Sequence, residues 1–190
     1  MHIYLVRHTK YHNPENIFPF HLPVNLSVEG RAHAQRIAKW FQGKNLKNIP
    51  IHSSPIVRCV QTSEIIAAQT NSFVDCDDRL VETCSPGIQG TRKPERDEWK
   101  VEDDDPTRES VESIRQRVTS IFEEKVAQHQ DCILVSHGDP TTILYYHLLE
   151  KELPAEMWKP ENEALVISRG EIVDVEIIEG QELKVTRHKV

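Results

Sequence analysis

Short apolar runs, too brief for helices, alternate along this chain with longer segments whose apolar residues recur every three or four positions. Ile3–Val6, with its β-branched members, reads as a buried strand ended by Arg7-His8. Cys132–Val135 reads as another, ended by Ser136-His137, and Asn48–His52 and Phe73–Cys76 are weaker strand candidates. Ser27 can cap a helix whose inner face is Ala34, Ile37, Ala38 and Phe41. Ser54-Pro55 has the form of an N-cap followed by proline at the first helical position, opening a helix to about Gln69. Asp105-Pro106 repeats that signal before the clearest helix, whose face is Val111, Ile114, Val118, Ile121, Phe122 and Val126. A last helix starts at the Gly138-Asp139-Pro140 turn and ends near Glu150. Ala164–Ser168, Ile172–Ile178 and Leu183–Arg187 read as closing strands, the first two joined by a turn at Arg169-Gly170. This alternation predicts an α/β fold: a three-layer sandwich with helices on both faces of a mostly parallel sheet, made mixed by the C-terminal hairpin.

The 190 residues suit one domain, 1–190, with no internal repeat or linker. The 23 Lys+Arg against 30 Asp+Glu give a net charge of −7, which argues against a general nucleic-acid binder. No apolar run is long enough to span a membrane, and Met1–Arg7 becomes charged too soon for a signal peptide. Cys59, Cys76, Cys84 and Cys132 are scattered without a C-x-x-C pair, as expected of reduced thiols in a cytoplasmic protein. The expected partners therefore exclude nucleic acid and membrane. Residues 9–26 and 83–106 lack periodicity and are rich in proline, and loops this long in compact domains are often functional.

In open α/β sheets, ligands bind beyond the carboxyl ends of the strands. His8 and His137 both occupy that position, and if their strands are neighbours the two imidazoles share one crevice. The helix that starts at Gly138 offers free backbone N–H groups to an anion. Arg7 adjoins His8, and Arg58 sits one turn inside the helix after Ser54-Pro55. Two histidines, two arginines and a helix N-terminus suit a phosphoryl group. Guanidinium forks orient its oxygens, and a neutral imidazole can attack phosphorus. No H-x-x-x-H or H-E-x-x-H spacing suggests a metal site. His12 and His21 are expected to be solvated loop residues, as is the acidic run Glu102–Asp105.

Four ordered motifs point further: Leu5-Val6-Arg7-His8, the stretch from Ser53 to Ser63, Leu80-Val81-Glu82 and Val135-Ser136-His137-Gly138. Together they resemble the histidine phosphatase superfamily, the phosphoglycerate mutase-like proteins, over nearly the whole chain. Asn25–Gly30 and the pair Glu109-Ser110 with Arg117-Val118 are also similar to family segments. The resemblance implies His8 as the nucleophile that becomes phosphohistidine, with Arg7, Arg58 and His137 holding the phosphoryl oxygens. It implies Glu82 as the acid for the leaving alkoxide and then as the base for water. Thr9 stands where the family usually has glycine, and Thr9, Asn13 and Gly138 join the expected substrate-binding set. The activity implied is metal-independent and cofactor-free hydrolysis of a small phosphorylated substrate or a phosphoprotein. A phosphoglycerate-type mutase and a non-catalytic phospho-ligand-binding module are the alternatives.

Overall fold

A computed structural model describes residues 1–94, 107–154 and 160–190. In chain order its regular elements are β1 (His2–Arg7), α1 (Val28–Gly43), β2 (Ile51–Ser53), α2 (Val57–Thr70), β3 (Val74–Cys76), α3 (Val111–Ala127), β4 (Cys132–Ser136), α4 (Gly138–Leu148), β5 (Ile172–Glu176) and β6 (Lys184–His188). The strands form one sheet in the order β3-β2-β4-β1-β5-β6. The pairs β2·β3, β2·β4 and β1·β4 are parallel, while β5 and β6 are added antiparallel. The sheet is thus mixed, as the terminal hairpin predicts.

Alternation along β1 splits the interior into two cores. Ile3 and Leu5, with Leu134 and Val173, pack against Ile114, Val118, Ile121 and Phe122 of α3 and against Ile143 and Leu144 of α4. Tyr4 and Val6, with Ile133 and Val135, pack against Ile37, Ala38 and Phe41 of α1 and against Cys59 and Ile66 of α2. Helices therefore cover both faces in pairs, α3 and α4 on one and α1 and α2 on the other. Because β4 is buried on both faces, all five of its residues are buried. Ser27 caps α1 through the N–H of Gly30, as its sequence position suggests.

Three expectations need correction. Ser54 does not cap α2, which starts at Val57 behind Ile56. The N–H of Ser54 donates to Val135 O (2.9 Å), and its hydroxyl turns toward His137. Asp105-Pro106 lie outside the described residues, and α3 begins only at Val111, capped by Ser110 through the N–H of Ser113 (3.1 Å). Val111 is partly exposed and stands off the core face. Ala164–Ser168 is not a strand: a 3-10 helix covers Pro160–Leu165. Both edges of β1 are already taken by β4 and β5. The polar backbone of this segment is met by side chains instead: Thr142 Oγ1 accepts from Ile167 N–H (3.0 Å), and Arg7 Nη1 donates to Ile167 O (2.7 Å).

The two long loops pair with each other. Phe18 N–H donates to Thr91 O and Gly90 N–H to Phe18 O, both at 2.9 Å, and Lys93 N–H donates to Asn16 O at 2.8 Å. At the root of the first loop, a Cβ on Gly30 would fall 1.8 Å from Lys10 O, so only glycine lets α1 approach the residues just after His8 this closely. Among the described residues no helix is long and apolar enough to cross a membrane.

Candidate active site

The register of β1 and β4 brings the two histidines together. Val6 pairs with Val135 and Arg7 with Ser136, so both strands end at the same level. His8 N–H extends the ladder by donating to Ser136 O (2.9 Å). The rings of His8 and His137 stand 5.1 Å apart, centroid to centroid, at 66°. His8, Thr9, Arg58 and His137 are each at most 1% exposed.

The hydrogen bonds of His8 settle its tautomer. Thr9 O, 2.8 Å from Nδ1, can only accept, so Nδ1 carries the proton. The Nε–H of Arg58, 3.1 Å from Nε2, can only donate, so Nε2 keeps its lone pair. Burial pushes the pKa of His8 well below the usual histidine range, and the charges of Arg58 and Arg7 push it further. The imidazole is therefore neutral, with an unprotonated nitrogen that accepts from Arg58.

Arg58 also donates from Nη2 to Phe20 O (2.6 Å), which ties the first long loop to the site. The guanidinium of Arg7 lies against the start of α4, where a Cβ on Gly138 would be 2.9 Å from both its Cζ and its Nη2. Gly138 is thus needed for the packing of Arg7. We expect Gly138→Ala to displace that guanidinium and lower kcat/KM on a phosphomonoester about 10- to 100-fold, the scale of one lost charge-assisted hydrogen bond. Steady-state kinetics with an unchanged melting temperature checks this; an unaffected kcat/KM contradicts it.

His137 Nε2 lies 2.8 Å from Ser54 Oγ and 3.3 Å from Cys59 Sγ. Its Nδ1 is 3.9 Å from Glu82 Oε2. Burial, then Arg58, His8 and Arg7, hold its pKa well below the usual range. Glu82 is placed by its neighbours: Ser136 Oγ–H donates to Leu80 O (2.7 Å), and Arg117 donates from Nη1 to Arg79 O (2.7 Å) and from Nε to Glu109 Oε1 (2.8 Å). Burial and nearby Asp139 push the Glu82 carboxyl up to about 7, against the pull of Arg58 and Arg7.

Buried polar atoms are normally hydrogen-bonded. Among the described residues nine buried side-chain atoms lack such a partner, and four of them are Arg7 Nε, Thr9 Oγ1, Arg58 Nη1 and His137 Nδ1. All four belong to residues gathered around His8, so unspent hydrogen-bonding capacity converges where an anion would sit. Asn13 is different. Its side-chain amide donates to Ile17 O (2.9 Å) and accepts from Ile17 N–H (3.1 Å), closing a local turn.

The histidine phosphatase superfamily (branch 1) matches residues 3–178 of the chain. The protein belongs to that superfamily. This histidine phosphatase is 30% identical over 149 residues, 72% of each chain, to a protein of Hydrogenobacter thermophilus named "Putative phosphoserine phosphatase 2". Its fold is that of a solved mycobacterial glucosyl-3-phosphoglycerate phosphatase, with a TM-score of 0.75 and 20% identity over 98% of this chain and 96% of that one. It is also that of a phosphoserine phosphatase from Entamoeba histolytica, solved with 3-phosphoglyceric acid (TM-score 0.77, 18% identity, 100% and 97% covered). The enzyme class read from the sequence, a phosphatase, agrees with this membership.

Several residues of this histidine phosphatase's site escaped the sequence reading. Ser54 was legible in principle, because it ends a strand beside β4 and the strand-end rule that selects His8 and His137 covers it too. His21 is exposed, yet its Nε2 lies 2.8 Å from Glu82 O at the edge of the site rather than free in solvent. Tyr11 stacks at a tilt on His8, and Thr83 Oγ1 donates to Asp139 Oδ2 (2.8 Å) beside Glu82.

Proposed function

We propose that this protein is a phosphomonoester hydrolase, one domain over 1–190, that works through a phosphohistidine on His8 without a metal or other cofactor. The observation that carries the proposal is the pair of bonds on His8, which leaves Nε2 as an unprotonated nitrogen held by Arg58. A phosphoryl group entering the site takes the Nε–H of Arg58 away from Nε2 and thereby frees the lone pair to attack. Arg7 Nε, Arg58 Nη1, Thr9 Oγ1 and His137 Nδ1 supply the remaining donors to its oxygens, His137 when Ser54 Oγ–H donates to Nε2.

The Nε2–P bond forms as the P–O bond to the alcohol breaks, and protonated Glu82 gives its proton to the departing oxygen. Water then attacks phosphorus, ionised Glu82 takes its proton, and the P–N bond breaks to release phosphate and His8. Two guanidiniums balance the charge of the transferring group, which is the task a cation performs elsewhere. Gly138 serves by admitting Arg7, while Asn13 shapes the loop. A small phosphorylated substrate and a cytoplasmic setting fit this reading.

The test is turnover of a nitrophenyl phosphate by the purified protein in excess chelator. Turnover should be unchanged by the chelator and strongly inhibited by vanadate, which mimics the five-coordinate transition state. Loss of activity in chelator, restored by a divalent ion, would sink the metal-independent mechanism. Isomer exchange outrunning phosphate release, with a monophosphoglycerate and its bisphosphate primer, would make the protein a mutase instead.

A further inference from the structure

Arg169 stands at the edge of this site and has no part in the steps above. It lies in the tight turn that leads into β5, and that turn is fastened to the strand bearing His8. Gly170 N–H donates to Arg7 O (3.0 Å), and Arg7 N–H donates to Glu171 O (3.3 Å). Gly170 has φ +75°, and a Cβ there would fall 2.3 Å from the His33 ring, so the turn depends on glycine. Buried Glu171 braces it from behind, accepting from Ser168 N–H (2.7 Å) and from Arg187 Nη2 (2.9 Å). The backbone of Arg169 is therefore held in register with Arg7 itself.

The side chain is held as well. Its guanidinium lies over the ring of Tyr11, with Cζ 4.8 Å from the centroid, and Nη2 donates to Tyr11 Oη (3.3 Å). The same ring is 5.6 Å from the His8 ring and 5.5 Å from Arg58 Cζ. Tyr11 thus stands between one arginine inside the phosphoryl site and one at its mouth. Among the described residues the side chain of Arg169 has partners only on Tyr11, so most of its N–H fork faces solvent at the pocket. After burial, the charge of Arg169 is the largest cause lowering the pKa of Arg7, so the two cations repel across the site. An anion placed between them relieves that repulsion.

On the phosphatase reading above, we infer that Arg169, aligned by Tyr11, is a specificity-determining residue that binds a carboxylate carried on the alcohol part of the substrate. The planar fork of arginine matches a carboxylate in shape as well as in charge. The preferred substrate class is a small phosphomonoester of a hydroxy acid.

The experiment compares kcat/KM for 3-phosphoglycerate and glycerol 3-phosphate, which differ only by a carboxylate in place of a hydroxymethyl group. Wild type should favour the acid by about tenfold or more, the scale of one charge-assisted hydrogen-bonded pair. In Arg169→Met that ratio should fall toward one, chiefly through a higher KM for the acid, and Arg169→Lys should restore part of it. A wild-type ratio near one, or equal losses on both substrates in Arg169→Met, would overturn the inference. If wild type turned over neither ester nor a nitrophenyl phosphate, the phosphatase reading itself would fall, and this inference with it.

Discussion

His8→Ala is expected to lower kcat/KM on a phosphomonoester by about 10^4-fold or more, upwards of ~5.5 kcal/mol of transition-state stabilisation. The size follows from what stays behind. On the proposed mechanism Arg7, Arg58 and His137 would still bind and polarise the phosphoryl group, but the Nε2 lone pair held by Arg58 would be gone. Water would have to attack a dianionic ester directly, and the two-step route would be gone. Because His8 is buried and bonded to Thr9 O, the alanine variant also leaves a void beside Arg58. His8→Asn, which can retain a donor to Thr9 O, separates loss of the nucleophile from loss of packing. Both variants should be inactive and folded by circular dichroism. Near-normal turnover in either one would remove His8 from the chemistry.

The second large effect belongs to Glu82 and depends on the leaving group. A general acid matters most when the departing alkoxide is a poor one. Glu82→Gln should therefore cost about 10^2- to 10^3-fold on alkyl phosphates and under about tenfold on a nitrophenyl phosphate. The pH profile carries the same signature. With its pKa pushed up to about 7, Glu82 is protonated below that pH and ionised above it. Since the first step uses its proton, kcat/KM for alkyl esters should be full below about 7 and decline as the pH rises through that value. His8 adds no acid limb to this window, because its pKa is displaced downward and the imidazole stays neutral. Glu82→Gln should flatten the alkaline limb. Equal losses on alkyl and aryl esters would assign Glu82 to another step.

The sheet and the paired histidines were legible because they follow from local rules. Short apolar runs with β-branched members, Ile3–Val6 and Cys132–Val135, make strands buried on both faces, and a strand in an α/β sheet presents its last residues to the ligand edge. Where the reading failed, tertiary contacts override a local signal. Ser54-Pro55 carries the same letters as a helix start, but the N–H of Ser54 is claimed by Val135 O and its hydroxyl by His137. Ala164–Ser168 has strand-like composition, yet no open edge beside β1 was left for it. Asn13 has the right chemistry for phosphate, and a five-residue turn to Ile17 uses both ends of its amide. Arg169 was invisible because only the ladder between its turn and Arg7 brings it to the site. Asp105-Pro106 and the acidic run 102–105 lie outside the described residues.

The central claim is a covalent bond between Nε2 of His8 and phosphorus. Its direct measurement is a rapid quench of wild-type protein mixed with a substrate carrying radiolabelled phosphate, followed by mapping of the labelled peptide. The mechanism predicts label on the peptide containing His8, stable in alkali, lost in acid, and absent from His8→Ala. Acid-stable label on another residue, or multiple turnovers with no label trapped in wild type under any quench, would contradict it.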